Sequence, residues 1–150
     1  MEQIDEIDKR ILRVLQDDSR LSSRKIAKRV GISVSTVSER IERMQKAGII
    51  KGFTALVDPE KIGLIHCLAA FIRIKAGENA MHVGKEIAKI EEVCHVYNIT
   101  GEYDLIVLGT STSKEGAINL LNKISKTRGV ENVNSSWILH PIKESLKYKI

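Results

Sequence analysis

Apolar residues recur at helical spacing through the first third of the chain, and the period then changes. From residue 4 to residue 17, Ile4, Ile7, Ile11, Leu12 and Leu15 fall on one side of an amphipathic helix, closed by Asp17, Asp18 and Ser19. Ile26, Ala27 and Val30 make a second, shorter stripe, and Gly31 interrupts it where a helix end favours a left-handed residue. Ser33 suits the N-cap of a third helix, in which Val37, Ile41 and Met44 recur at i, i+4 and i+7. Small Ala27, turn glycine Gly31 and apolar Val37 let two helices cross closely. That is the spacing of a helix-turn-helix.

After Gly48 the pattern alternates. The run Ile49–Val57 is rich in β-formers and reads as a strand, a small wing behind the third helix. Asp58-Pro59 signals a turn and Gly63 a stop, so the domain boundary is expected between about 58 and 64. Residues 1–60 form one predicted domain and 64–150 the other. In the second, Leu64–Ala76, Cys94–Thr100, Tyr103–Thr112 and Val130–Ile142 read as strands, with a tight turn at Gly101-Glu102. Asn79–Val93 and Ser113–Arg128 read as helices. The order βαββαβ predicts an α+β chain whose C-terminal half is a ferredoxin-like, four-stranded antiparallel sheet with both helices on one face.

Alternation along the first of these strands tests the opposite face. Leu68, Ala70, Ile72 and Ile74 share one side; Cys67, Ala69 and Phe71 share the other. Both are apolar, whereas a sheet with one wet face alternates between apolar and polar. The helix-free face therefore needs a cover, and a second copy is the simplest, which predicts a homodimer. Two-fold symmetry also suits a helix-turn-helix, which gains affinity from paired half-sites.

Charge sharpens this picture. The chain carries net +5, but residues 1–19 are net −3 and residues 20–51, with nine basic and two acidic side chains, are net +7. The basic excess coincides with the helix-turn-helix and is the electrostatic footprint of a nucleic-acid binder. Opposite the apolar stripe of the third helix stand Ser35, Thr36, Glu39, Glu42, Arg43 and Lys46, flanked by Ser38 and Arg40. Short hydroxyls at a helix start enter a major groove unobstructed, and Glu can accept from cytosine. No apolar stretch approaches a membrane span, and the polar opening MEQIDEIDKR is unlike a secretory signal, so a cytoplasmic location is expected. Cys67 and Cys94 show no CxxC spacing and read as small hydrophobes. No metal or cofactor is expected.

Over nearly its full length the chain resembles the Lrp/AsnC, or feast/famine, regulators. The resemblance rests on IDEIDKRILRVLQDDSR, on KIAKRVGISVSTVSERIERMQKAGIIKGFTALVDPEKIG and on TGEYDLIV. It implies an N-terminal winged helix-turn-helix and a C-terminal domain that dimerises and senses amino acids, with assembly into tetramers, octamers or larger rings in many members. It places DNA contacts on Ser33, Ser35, Thr36, Arg40 and Arg43, with Ser22, Ser23 and Arg24 supporting at the DNA backbone. It places the effector between neighbouring dimers, around Gly101, Glu102, Tyr103 and Asp104. Gly101 would let the backbone approach a ligand, and Asp104 could pair with an α-ammonium group. Where many relatives carry threonines on the last strand, this chain has Asn134, Ser135 and Ser136, and Ser135 and Ser136 join the implied effector set.

Two other functions are compatible with parts of the chain. A ligand-independent architectural DNA-binding protein needs the same basic helices and no effector. An enzyme is suggested by haem-pathway decarboxylases that resemble this family in both domains. That chemistry needs His or Arg converging on a tetrapyrrole pocket, whereas His66, His82, His95 and His140 are scattered along the chain. The sequence has no nucleophile–base pair, phosphate loop or metal-spaced cluster, and a non-enzymatic regulator is the expectation. Target sequence, effector and the sign of regulation are not encoded in any motif.

Overall fold

Three helices, each started by its own capping side chain, build the first unit of the chain. The computed structural model describes residues 4–150; residues 1–3, the start of the polar opening, lie outside them. Helix α1 (Glu6–Asp17) begins with a reciprocal capping box, in which Asp8 N donates to Asp5 Oδ1 (2.8 Å) and Asp5 N to Asp8 Oδ2 (3.0 Å). Ser22 caps α2 (Ser23–Val30), accepting from Lys25 N, and Gly31 ends it in the left-handed region at φ 77°, as the pattern predicted. Ser33 caps α3 (Val34–Lys46) by accepting from Thr36 N. The stripes meet in one core: Ile11, Leu12 and Leu15 of α1 pack with Ile26, Ala27 and Val30 of α2 and with Val37 and Met44 of α3. The Arg10 guanidinium donates to the Val30 carbonyl, satisfying the otherwise open end of α2.

The expected wing strand is absent. The amides of Ile49 and Ile50 fold back to the Met44 carbonyl, and residues 51–58 join no sheet. Alternation gives strand propensity, but a ladder needs a neighbouring strand, and this unit has none among the described residues. Phe53, Leu56 and Val57 consequently stay exposed.

The unit has a second contributor that the expected boundary does not anticipate. The chain divides into residues up to Leu56 together with Glu144–Ile150, and Val57–Lys143. The last residues belong with the helices because they are clipped to α1. The Gln16 side-chain amide makes a two-way bond with the Tyr148 backbone, donating to its carbonyl (3.1 Å) and accepting from its N–H (2.6 Å). Arg13 Nε donates to the Ile150 carbonyl (2.9 Å), and Lys147 pairs with Asp17 (3.0 Å). Ile150 also packs against the helical core.

In the second unit, a single-turn 3₁₀ segment (Glu60–Ile62) precedes β1 (His66–Ile74), α4 (Ala80–Ile87), β2 (Val93–Asn98), β3 (Leu105–Ser111), α5 (Lys114–Ser125) and β4 (Val130–Ile138). The sheet order is β2-β3-β1-β4, antiparallel throughout, which is the ferredoxin-like arrangement. Leu68, Ala70, Ile72 and Ile74 point to the helices, where Val83 and Ile87 of α4 and Ala117, Leu120 and Ile124 of α5 bury them. On the other face, Cys67, Ala69 and Phe71 of β1 and Ile106 and Leu108 of β3 remain half-buried. The first helix is shorter than its pattern, and the last strand ends at Ile138, leaving Ile142 fully exposed.

The tail contact is testable. Gln16→Ala should raise the hydrogen-exchange rate of the Tyr148 amide while leaving the Ile11 and Leu15 amides protected. Loss of the two bonds should lower unit stability by roughly 0.5–1.5 kcal/mol per bond in urea unfolding.

Candidate DNA interface and effector loop

Hydroxyls crowd the start of α3. Ser33 Oγ lies 2.9 Å from Ser35 Oγ and 2.7 Å from Thr36 Oγ1 while accepting from Thr36 N at 3.1 Å. Ser33 and Ser35 are exposed and Thr36 is half-buried. Ser38 Oγ, 3.3 Å from Ser23 Oγ, ties α3 to α2. The hydroxyls of Ser22 and Ser33 thus serve first as caps, and those of Ser35 and Thr36 border the same helix start. Arg24, Lys25, Lys28 and Arg29 are exposed along α2, with no acidic partner within 4.0 Å among the described residues. A surface groove of about 460 Å³ runs beside α3, lined by Glu39, Glu42, Arg43, Lys46 and Ala47.

Arg40 and Arg43 sit differently. Both guanidiniums turn to α1, where Asp8 is wholly buried. Arg40 Nη1 donates to Asp5 Oδ2 (2.6 Å) and Asp8 Oδ1 (3.0 Å); Arg43 Nη2 donates to Asp8 Oδ2 (2.5 Å). Burial acts to raise the Asp8 carboxyl, but the Asp5 N–H and the two guanidiniums outweigh it and hold it below the usual carboxylate range. Arg40, more than the Asp8 N–H, brings Asp5 down from 3.8 to about 2. The sequence marked Arg40 and Arg43 by residue type and position. It gave no sign that the start of α1 supplies their partners, because Asp5 and Asp8 stand within the polar opening MEQIDEIDKR.

In the second unit the loop 99–104 joins β2 to β3 and is wider than the expected two-residue turn. Asp104 explains the width: its N–H donates to the Ile72 carbonyl (2.9 Å), its Oδ2 accepts from Ile74 N (2.7 Å), and its carbonyl accepts from Ile99 N and Asn98 Nδ2. One oxygen of the carboxylate expected to meet an α-ammonium therefore already anchors the end of β1. Gly101 turns the exposed tip at φ 120°. Arg73 Nη2 lies 3.3 Å from Glu102 Oε1 and its guanidinium stands 5.9 Å over the Tyr103 ring, which tilts against Phe71 at 5.6 Å.

On β4, Asn134 reaches this loop, with Nδ2 donating to Tyr103 Oη (3.0 Å). Ser135 and Ser136 do not share its place. They pair with Ala70 and Ala69, farther along β1, and point to opposite faces of the sheet. Arg73 of β1 and Asn134 of β4 reach the loop and stand outside the set that the motifs marked. The register of β4 on β1, invisible in the sequence, selects Asn134.

Two family profiles cover this chain. One, described as winged helix-turn-helix DNA-binding, matches residues 4–51. The other, the Lrp/AsnC ligand binding domain, matches residues 69–148, more than half the chain. The chain belongs to the Lrp/AsnC family. As an Lrp/AsnC regulator it is 36% identical over 147 residues to the HTH-type transcriptional regulator FL11 of Pyrococcus horikoshii, covering 98% of this chain and 97% of that protein. Its structure is similar to that of the Mycobacterium tuberculosis leucine response regulatory protein LrpA, with TM-score 0.89 and 27% identity over 97% of this chain and 99% of the other. It is similar also to the Neisseria meningitidis transcriptional regulator NMB0573, solved with L-Met, with TM-score 0.87 and 27% identity over 98% and 97%. These matches give the Lrp/AsnC chain a DNA-binding domain and a ligand-binding domain.

The acid pair makes a stability prediction. Asp5 binds its proton less readily when folded, so its contribution is complete above about 3.8 and is lost as pH falls towards about 2. Asp8, shifted in the same direction, adds to that loss. Asp8→Ala should cost roughly 1.5–3 kcal/mol at neutral pH, read by urea unfolding, and should flatten this acid limb.

Proposed function

We propose that this Lrp/AsnC chain is a sequence-specific, cytoplasmic DNA-binding regulator whose assembly or DNA affinity responds to a small amino acid. It works by binding, not by catalysis. The observation that carries this is the presence, in one chain, of a hydroxyl-lined recognition helix and a separate loop with matched polar groups. Ser33, Ser35 and Thr36 are the residues for the groove, with Ser22, Ser23 and Arg24 at the backbone; Arg40 and Arg43, which the family resemblance also marks, stand behind them on α3 with their guanidiniums on Asp5 and Asp8.

For the effector, Gly101, Glu102, Tyr103 and Asp104 form the nucleus of the site, joined by Asn134 and Ser136 on the same sheet face, whereas Ser135, which pairs with Ala70, points to the other face. An α-amino acid needs an anion for its ammonium and a cation for its carboxylate. Glu102 and Arg73, held 3.3 Å apart, offer both. The L-Met complex of the Neisseria relative supports this class of ligand.

The protein acts as a homodimer through the helix-free sheet face and assembles further through dimers. Phe71, Ile106 and Leu108 line an apolar sheet face that the helices do not cover, and a symmetric copy would bury it. Two copies would also present paired recognition helices to a duplex.

The test is a fluorescence-anisotropy titration against the DNA upstream of the protein's own gene, with and without each of the twenty amino acids. Salt-sensitive binding that one or a few amino acids shift is the expected result. Binding indifferent to all of them would favour the architectural reading instead. Phe71→Glu should convert the dimer to monomers in light scattering; a persistent dimer would place the interface elsewhere.

A further inference from the structure

The basic excess of the helix-turn-helix is not all available to DNA. Phosphate and carboxylate are recognised by the same guanidinium fork, so an arginine that holds one has fewer donors for the other. Arg40 and Arg43 already hold carboxylates. Their side chains are only 24% and 43% exposed, and the oxygens they share belong to Asp8, which has no exposed surface at all. Pulling either guanidinium out to a phosphate would strip a buried anion of its partner, which is among the costliest changes available to a folded chain. Asp5, on the exposed side of Arg40, takes a further donor direction at 2.6 Å. The four cations of α2, by contrast, have no such partner among the described residues.

We propose that Asp5 and Asp8 act as internal stand-ins for DNA phosphate: they withhold Arg40 and Arg43 from the duplex backbone and so limit sequence-independent affinity. The inference rests on the DNA-binding reading of this family member. Its consequence is that backbone attraction comes from α2, chiefly Arg24, Lys25, Lys28 and Arg29. Discrimination is left to the hydroxyl-bearing start of α3, whose placement the acid pair keeps constant. Asp5 and Asp8 are therefore positioning residues that set specificity by subtraction.

Salt dependence separates this from a merely structural role. Each cation that meets phosphate steepens the slope of log K against log salt by about 0.9. The full-length protein and its variants are titrated by anisotropy against a fluorescein-labelled duplex of mixed sequence over a series of KCl concentrations. Asp8→Asn should bind this duplex more tightly at low salt, with a slope steeper by about 0.9 for each arginine released. Arg43→Gln should leave the wild-type slope unchanged. An Asp8→Asn slope equal to or shallower than wild type, or a flattening of about 0.9 in Arg43→Gln, would overturn the proposal.

If circular dichroism shows Asp8→Asn unfolded, Arg40→Gln, which leaves Asp8 its Arg43 partner, takes its place. A slope equal to wild type supports the proposal and one flatter by about 0.9 overturns it. Failure of the wild-type protein to bind the duplex even at the lowest salt would overturn the DNA-binding reading itself. Binding without the slope changes would overturn this inference alone.

Discussion

A carboxylate with no access to water holds the recognition helix in place. Asp8 sits on the apolar side of α1, beside Ile11, Leu12 and Leu15, where a charge is costly unless every lone pair finds a donor. It finds three: the Asp5 N–H, Arg40 and Arg43. The backbone donor fixes the start of α1, and the two guanidiniums, three residues apart on α3, fix that helix's rotation about its own axis. Packing of Val37 and Met44 alone tolerates some slippage, because dispersion contacts are non-directional. A pair of charge-assisted bonds to one buried group does not. The orientation of Ser35 and Thr36, and hence what α3 can present to a groove, depends on that lock.

The second unit depends on an opposite constraint, a surface left uncovered. Two helices cover one face of the sheet, and the strands carry apolar side chains on both. The exposed segments 51–58 and 139–143 flank this unit at the two points where the chain passes to and from the helical one. Each carries large apolar residues, with Leu56 at 75% and Leu139 at 80% exposure. Both features leave apolar surface facing water. The Asp104 anchor stiffens the base of the loop while leaving Gly101 and Glu102 at its tip.

Local signals were readable, and contacts between distant segments were not. Gly31 and Ser33 mark helix ends by chemistry that acts within four residues, so both appear where the sequence places them. The helix and strand periods likewise report which side is buried, and the βαββαβ order follows from them. The wing strand failed for the complementary reason: Ile49–Val57 has the propensity, but pairing is decided by a neighbour. Asp8 could not be read as buried, because a charged residue within a polar stretch looks solvated until its two arginines are found thirty-two and thirty-five residues away. The tail's attachment through Gln16 and the choice of Asn134 over Ser135 and Ser136 depend on register and docking, for which one chain's sequence carries no pattern.

The central claim is that Asp8 and Arg43 act as one unit in holding α3. A double-mutant cycle in urea, comparing Asp8→Asn, Arg43→Gln and the pair, tests it most directly. The account predicts a coupling energy between about 0.5 and 3 kcal/mol, as for residues in direct contact. Additivity to within about 0.3 kcal/mol would contradict it, and would leave hydrophobic packing as what sets the recognition helix.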